Sequence, residues 1–216
     1  MKEYEWPRAA FHAFWSIPGV LLLEVFQVSH LVMVYILGIV GGSMVAIDLT
    51  RIFLHKKLSN KNTQLAKHFK KLEEYLLYNT PLRKHELKFP VAMTWYVLGI
   101  TFCYFFYSRQ VALMSLIVLA IGDPFARVFG ITFKGKKVYK KHTYIGAFGF
   151  FSFSMIALHI LNVIGVYYPF FNSTPKTLLL TQILGSLVGM IFEIFSGRFD
   201  NLIIPISAGF AMSFFM

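Results

Sequence analysis

Apolar residues in this chain run in long blocks instead of recurring at amphipathic spacing. Blocks near 10–28, 30–49, 89–107, 110–126, 144–166, 177–195 and 201–216 stand out. Each approaches the about 20 residues a helix needs to cross a hydrocarbon core of about 30 Å. The pattern predicts an all-α fold: a polytopic transmembrane helical bundle of about seven spans, forming one integral-membrane domain over 1–216. The fourth block is expected to stop at Gly122-Asp123-Pro124, where Gly and Pro would let Asp123 project from irregular backbone. Between the second and third blocks, Leu58, Leu65, Phe69, Leu72 and Leu76 recur at helical spacing among lysines, Glu73 and Glu74. That marks 51–88 as a basic amphipathic segment, read either as a helix lying against lipid headgroups or as a solvated linker helix.

Charge sets the expected orientation. The 216 residues carry 21 Lys+Arg and 10 Asp+Glu, a net charge of +11, and are 56% hydrophobic. Such a composition excludes a disordered chain. The single cysteine, Cys103, excludes a disulfide framework and a Cys-based zinc site. Of the cations, only Arg109 and Lys176 fall in loops opposite the two basic segments 51–88 and 127–141. The positive-inside rule then puts the N-terminus, both basic segments and the 196–200 turn in the cytoplasm, and the C-terminus outside. No nucleic-acid partner is expected.

Ionisable groups in or beside spans are costly and usually functional. Arg8 and His12 open the first span, Asp48 and Arg51 close the second, and Arg83 and Glu86 precede the third. Asp123 and Arg127 end the fourth, Glu193 ends the sixth, and Asp200 and Asn201 begin the seventh. All fall at the same expected end, whereas Glu24, Gln27 and His30 do not. Helix ends accept polar residues, but a positive-inside bias gives no reason for Asp48, Asp123, Glu193 and Asp200 to gather on the cationic face. Carboxylates beside lysines are what a metal–phosphate site requires, because hard oxygens hold Mg²⁺ and cations hold phosphate. The run from Lys134 through Lys137, Lys140, Lys141 and Thr143 to Gly146 reads as a cationic loop entering a helix N-terminus, which suits anions. Nucleophile-elbow, His-Glu-x-x-His and Walker motifs are missing from the sequence.

Taken in order, Arg8-x-x-x-His12, Asp48-x-x-Arg51, Arg83-x-x-Glu86, Gly122-Asp123-Pro124-x-Ala126-x-x-x-Gly130, Thr143-x-x-Gly146 and Glu193…Asp200-Asn201-x-x-x-Pro205 resemble the CTP-dependent lipid-alcohol kinases. That family includes dolichol kinase, phytol kinase and CTP-dependent diacylglycerol kinase, and is related in character to the phosphatidate cytidylyltransferases. The resemblance spans nearly the whole chain; His142 stands where the family usually has Lys. It implies transfer of the γ-phosphate of CTP to a membrane alcohol, with Mg²⁺ as cofactor. Asp123, Asp200 and Glu193 would hold the metal, with Lys137, Lys140, Lys141, Thr143, Gly146 and Asn201 around the nucleotide. Arg127 would lie near the transferred group, His12 or Asp48 would be the general base, and Arg8, Arg51, Arg83 and Glu86 are further candidates. The expected partners are a lipid alcohol, a nucleoside triphosphate and membrane lipids, with homo-oligomerisation left open. The expected location is a prokaryotic plasma membrane or the endoplasmic reticulum, with the site facing the cytoplasm. Formation of a CDP-lipid, or a non-enzymatic transporter, are the alternatives.

Overall fold

A computed structural model describes residues 26, 28–59, 61, 63–79, 84–167 and 175–216. The described chain is all-helical apart from one small hairpin. Its helices are α1 (His30–Leu58), α2 (Gln64–Asn79), α3 (Ala92–Phe106), α4 (Arg109–Thr132), α5 (Tyr144–Tyr167), α6 (Pro175–Ser196) and α7 (Asp200–Ser213). Strands β1 (Lys137–Tyr139) and β2 (His142–Thr143) pair antiparallel between α4 and α5. Four stretches, α1, α4, 144–163 and 178–213, are long and apolar enough to cross a membrane, while α3 is a shorter apolar helix. Of the expected block 10–28, all but Phe26 and Val28 lies outside the described residues.

The fourth helix departs from expectation. It does not end at Gly122-Asp123-Pro124 but runs unbroken to Thr132, with Pro124 inside it. Proline removes one ladder hydrogen bond. The flanking turns are locked by packing, since Ala120 and Ala126 are both buried, so the loss does not end the helix. Asp123 therefore projects from regular helix. The second block is also longer than expected, ending at Leu58, and the 51–88 segment divides between the end of α1, α2 and a short 3₁₀ turn at Lys84–Leu87.

Helix α4 forms the centre of the described bundle, with every residue from Val111 to Ala120 buried, whereas α1 buries Met33, Gly41, Asp48 and Leu58 along its whole length. It packs against α5, α6 and α7. Gly122 faces Phe150 and Ser154, while Gly130 faces Gly146, so α4 and α5 run antiparallel. Gly197, with φ +65°, turns the chain between α6 and α7 in a backbone region that suits glycine. Gly185 then meets Met212, making that pair antiparallel too. Helix α3 runs alongside α7: Gly99 abuts Asn201 and Pro205, and the Tyr107 hydroxyl donates to the Ile206 carbonyl at 2.9 Å. Helix α1 runs antiparallel to α3, with Gly41 against Val97 and Thr101.

Chain direction then sorts the charges. The C-terminal ends of α1, α4 and α6 and the N-terminal ends of α3, α5 and α7 share one end of the bundle. Arg109 sits at the other, donating to the Val28 carbonyl at 2.6 Å.

Candidate functional site

A cavity of about 300 Å³ opens at the charged end. Helix α4 supplies Asp123, Ala126, Arg127, Gly130 and Ile131, and the hairpin supplies Lys141, His142 and Thr143. Gly146 and Ala147 come from α5, Glu193 from α6 and Asp200 from α7. Asp123 and Arg127 are one helical turn apart and paired at 3.2 Å. The Asp200 carboxyl lies close enough to Asp123, Arg127 and Lys141 to interact electrostatically with all three. Glu193 accepts at 2.8 Å from, or shares a proton with, Nδ1 of His142, and both side chains are largely buried.

Backbone approach shapes the floor. A Cβ on Gly146 would stand 2.8 Å from the Ala126 carbonyl oxygen, so only glycine lets α5 cross α4 this closely. Thr143 Oγ1 accepts from the Gly146 N–H at 3.0 Å, capping α5. The Tyr144 N–H is taken by the Lys136 carbonyl at 3.0 Å. Two of the α5 N-terminal donors expected for an anion are thus engaged within the chain.

A second polar cluster sits nearby and does a different job. Asp48 Oδ2 accepts from the Val91 N–H at 2.9 Å and from the Thr94 hydroxyl at 2.6 Å, while Oδ1 takes Arg51 at 2.8 Å. Arg51 also donates to the carbonyls of Glu86 and Phe89, and Glu86 Oε1 accepts from the Ala92 N–H at 3.3 Å. Val91 is the N-cap of α3 and makes no side-chain capping bond of its own. The carboxylates of Asp48 and Glu86 satisfy orphan donors at that helix start from outside it.

The structure therefore divides the residues expected from sequence. Asp123, Arg127, Lys141, Thr143, Gly146, Glu193 and Asp200 converge on the cavity. Asp48, Arg51 and Glu86 do not line it; Asp48 is buried in the α3 cap, a poor position for a general base. Asn201, expected near the nucleotide, donates through Nδ2 to the Ala92 carbonyl at 3.0 Å and ties α7 to α3. Lys137 and Lys140 belong to the hairpin but not to the cavity wall. Lys140 has φ 46° at the hairpin turn and lies 5.0 Å from the Tyr139 ring. Arg8, His12 and Arg83 fall outside the described residues.

Sequence reasoning missed His142 as the partner of Glu193. Nothing in the spacing of two residues on separate segments joins them. It also missed the apolar wall of Ile131 and Ala147.

Among the described residues no group of three or more His, Cys, Asp and Glu side chains is arranged to hold a metal ion. The donor set nevertheless fits Mg²⁺ carried in by a polyphosphate. That ion needs one or two carboxylates plus phosphate oxygens and waters, and Asp123 and Asp200 offer two. Glu193 is engaged by His142. Set against known protein families, characterised proteins and solved structures, the chain gives no match.

Proposed function

We propose that this protein is a membrane-embedded kinase that transfers the γ-phosphate of CTP to a lipid alcohol such as a polyprenol, a phytol-like prenol or diacylglycerol. The observation that carries the reading is the convergence of Asp123, Arg127, Lys141, Glu193 and Asp200, from four separate segments, on one cavity. Among the described residues that line it, three carboxylates face two fixed cations, Arg127 and Lys141. A divalent cation bridging carboxylates and phosphate would supply the missing positive charge.

Phosphoryl transfer depends on positioning and charge neutralisation. In this reading Asp123 and Asp200 would hold Mg²⁺, which would supply positive charge against the phosphates. Arg127 and Lys141 hold the phosphate oxygens, with Arg127 nearer the transferred group. Glu193 fixes the orientation of His142. The lipid oxygen bonds to the γ-phosphorus as the bond to the bridging oxygen breaks, CDP leaves, and the hydroxyl proton passes to a base at the cavity. Ile131 and Ala147 give the site an apolar flank toward the acyl or prenyl chain. The cationic end faces the cytoplasm, following the lysine distribution. The choice of CTP rests on motif order alone.

The test is a transfer assay on purified protein with Mg²⁺, offering γ-labelled CTP or ATP with a panel of lipid alcohols. Label entering the lipid phase with CTP is the expected result. Pyrophosphate release from CTP with a lipid phosphate, and no labelled lipid, would replace the kinase by CDP-lipid synthesis. Absence of nucleotide binding would overturn both.

A further inference from the structure

Helix α2 is amphipathic, and its faces divide into three sectors. Ala66 and Glu73, both buried, face inward, and Glu73 pairs with Nδ1 of His55 on α1 at 2.7 Å. On one flank, Leu65 and Leu72 lie on the same stripe as Phe69 and are 67% and 52% exposed. On the opposite flank stand Lys67, Lys70, Lys71 and Glu74, all exposed. A helix pinned along one side, apolar on a second and cationic on a third has the layout of one lying flat in a membrane interface.

The height of the pin agrees. With 29 residues, α1 is about 43 Å long, well beyond a hydrocarbon core of about 30 Å. Its exposed apolar surface reaches Phe53, and Lys57 stands 5.6 Å from that ring. His55 lies two residues further, about 3 Å along the axis. Glu73 is therefore held just beyond the last apolar ring of a helix suited to crossing the bilayer. Charge selects the lipid: between positions 56 and 75 there are six lysines against Glu73, already paired with His55, and Glu74.

We propose that α2 docks its Leu65–Leu72 flank into the membrane surface from which α1 emerges, held there by anionic phospholipid headgroups bound to Lys67, Lys70 and Lys71. The proposal rests on the membrane reading of α1 and is independent of the kinase reading. The transfer assay and the test below therefore fail separately.

The full-length protein is reconstituted in vesicles of phosphatidylcholine, with or without phosphatidylglycerol. A polarity-sensitive fluorophore is attached at Leu72→Cys or, as control, Glu74→Cys; Cys103 is fully buried and is spared by the label. Expected in anionic vesicles are a blue shift and strong quenching by headgroup-proximal spin-labelled lipid at position 72, with a smaller shift and weaker quenching at position 74, which stands among the lysines. The combined variant Lys67→Gln, Lys70→Gln, Lys71→Gln should lose most of that quenching, as should neutral vesicles. Equal water exposure at both positions would overturn the proposal. So would shielding of position 72 that ignores lipid charge, or shielding that follows protein density, which would point to a second copy of the chain.

Discussion

Replacing Asp48 separates a helix-capping role from a catalytic one. In Asp48→Asn the shape is kept but one acceptor oxygen becomes an NH₂ donor, facing either Arg51 or the Val91 N–H and Thr94 hydroxyl. Each hydrogen bond to the charged group is worth about 1.5–3 kcal/mol, and loss of a helix cap costs about 1 kcal/mol. Arg51, largely buried, keeps the Glu86 and Phe89 carbonyls, which limits the cost of its lost partner to the lower end of the about 3–5 kcal/mol seen for broken buried pairs. The expected loss is about 3 kcal/mol, or roughly 6–12 °C in Tm for a chain of this size. Thr94→Val removes one donor only and should cost about a third as much. Thermal unfolding in detergent, followed by tryptophan emission, reads the change, because Trp95 stands in the first turn of α3 with its ring 5.1 Å from Phe199. Transfer activity per folded molecule should stay within a few-fold of wild type. A variant with unchanged Tm and abolished turnover would refute the capping argument and return Asp48 to the chemistry.

Other substitutions sort the cavity in the same way. Gly146→Ala must displace α5 from the Ala126 carbonyl, so a destabilisation of about 1–3 kcal/mol is expected in the same unfolding assay, with transfer activity falling alongside. Lys140→Gly relieves a left-handed backbone worth about 1 kcal/mol and should leave nucleotide affinity unchanged in a filter-binding measurement; a large loss would make Lys140 a phosphate ligand after all. Asp123→Asn should cut transfer by about 100-fold or more at normal expression, whereas Glu193→Gln, which only weakens the hold on His142, should cut it by about 10-fold. Chelating divalent cations should abolish turnover reversibly while leaving the Tm of the nucleotide-free protein unchanged; a fall in that Tm would instead indicate a structural metal.

Much of the fold was legible in the sequence because long apolar blocks leave a chain few alternatives to helices. Positions 89–107, 144–166 and 177–195 became α3, α5 and α6 with shifts of only a few residues. The error at Gly122-Asp123-Pro124 arose because local breakers were weighed without the neighbours that hold the helix through them. Within the candidate site, Asp123, Arg127, Lys141, Glu193 and Asp200 were recoverable, since carboxylates at apolar-block ends are conspicuous. The same signal also selected Asp48 and Glu86, because a carboxylate capping a neighbouring helix and a carboxylate facing a ligand have one sequence signature. Only the partners, Val91, Thr94 and Ala92, tell them apart. The pairing of His142 with Glu193 spans 51 positions and had no local trace at all.

The unequal burial of α1 and α3 has a consequence for how the protein is made. Among the described residues α1 touches little protein, yet it is the most apolar of the four membrane-length stretches. Helix α3 has only 15 residues, about 22 Å, and depends on a carboxylate from α1 for its first turn. During translation the self-sufficient segment emerges first and waits, already carrying the group that its shorter successor needs. A chain carrying 28–60 alone should integrate into microsomes unaided. One carrying 84–108 alone should remain extractable by alkali, and integrating it would require the preceding helix in the same nascent chain.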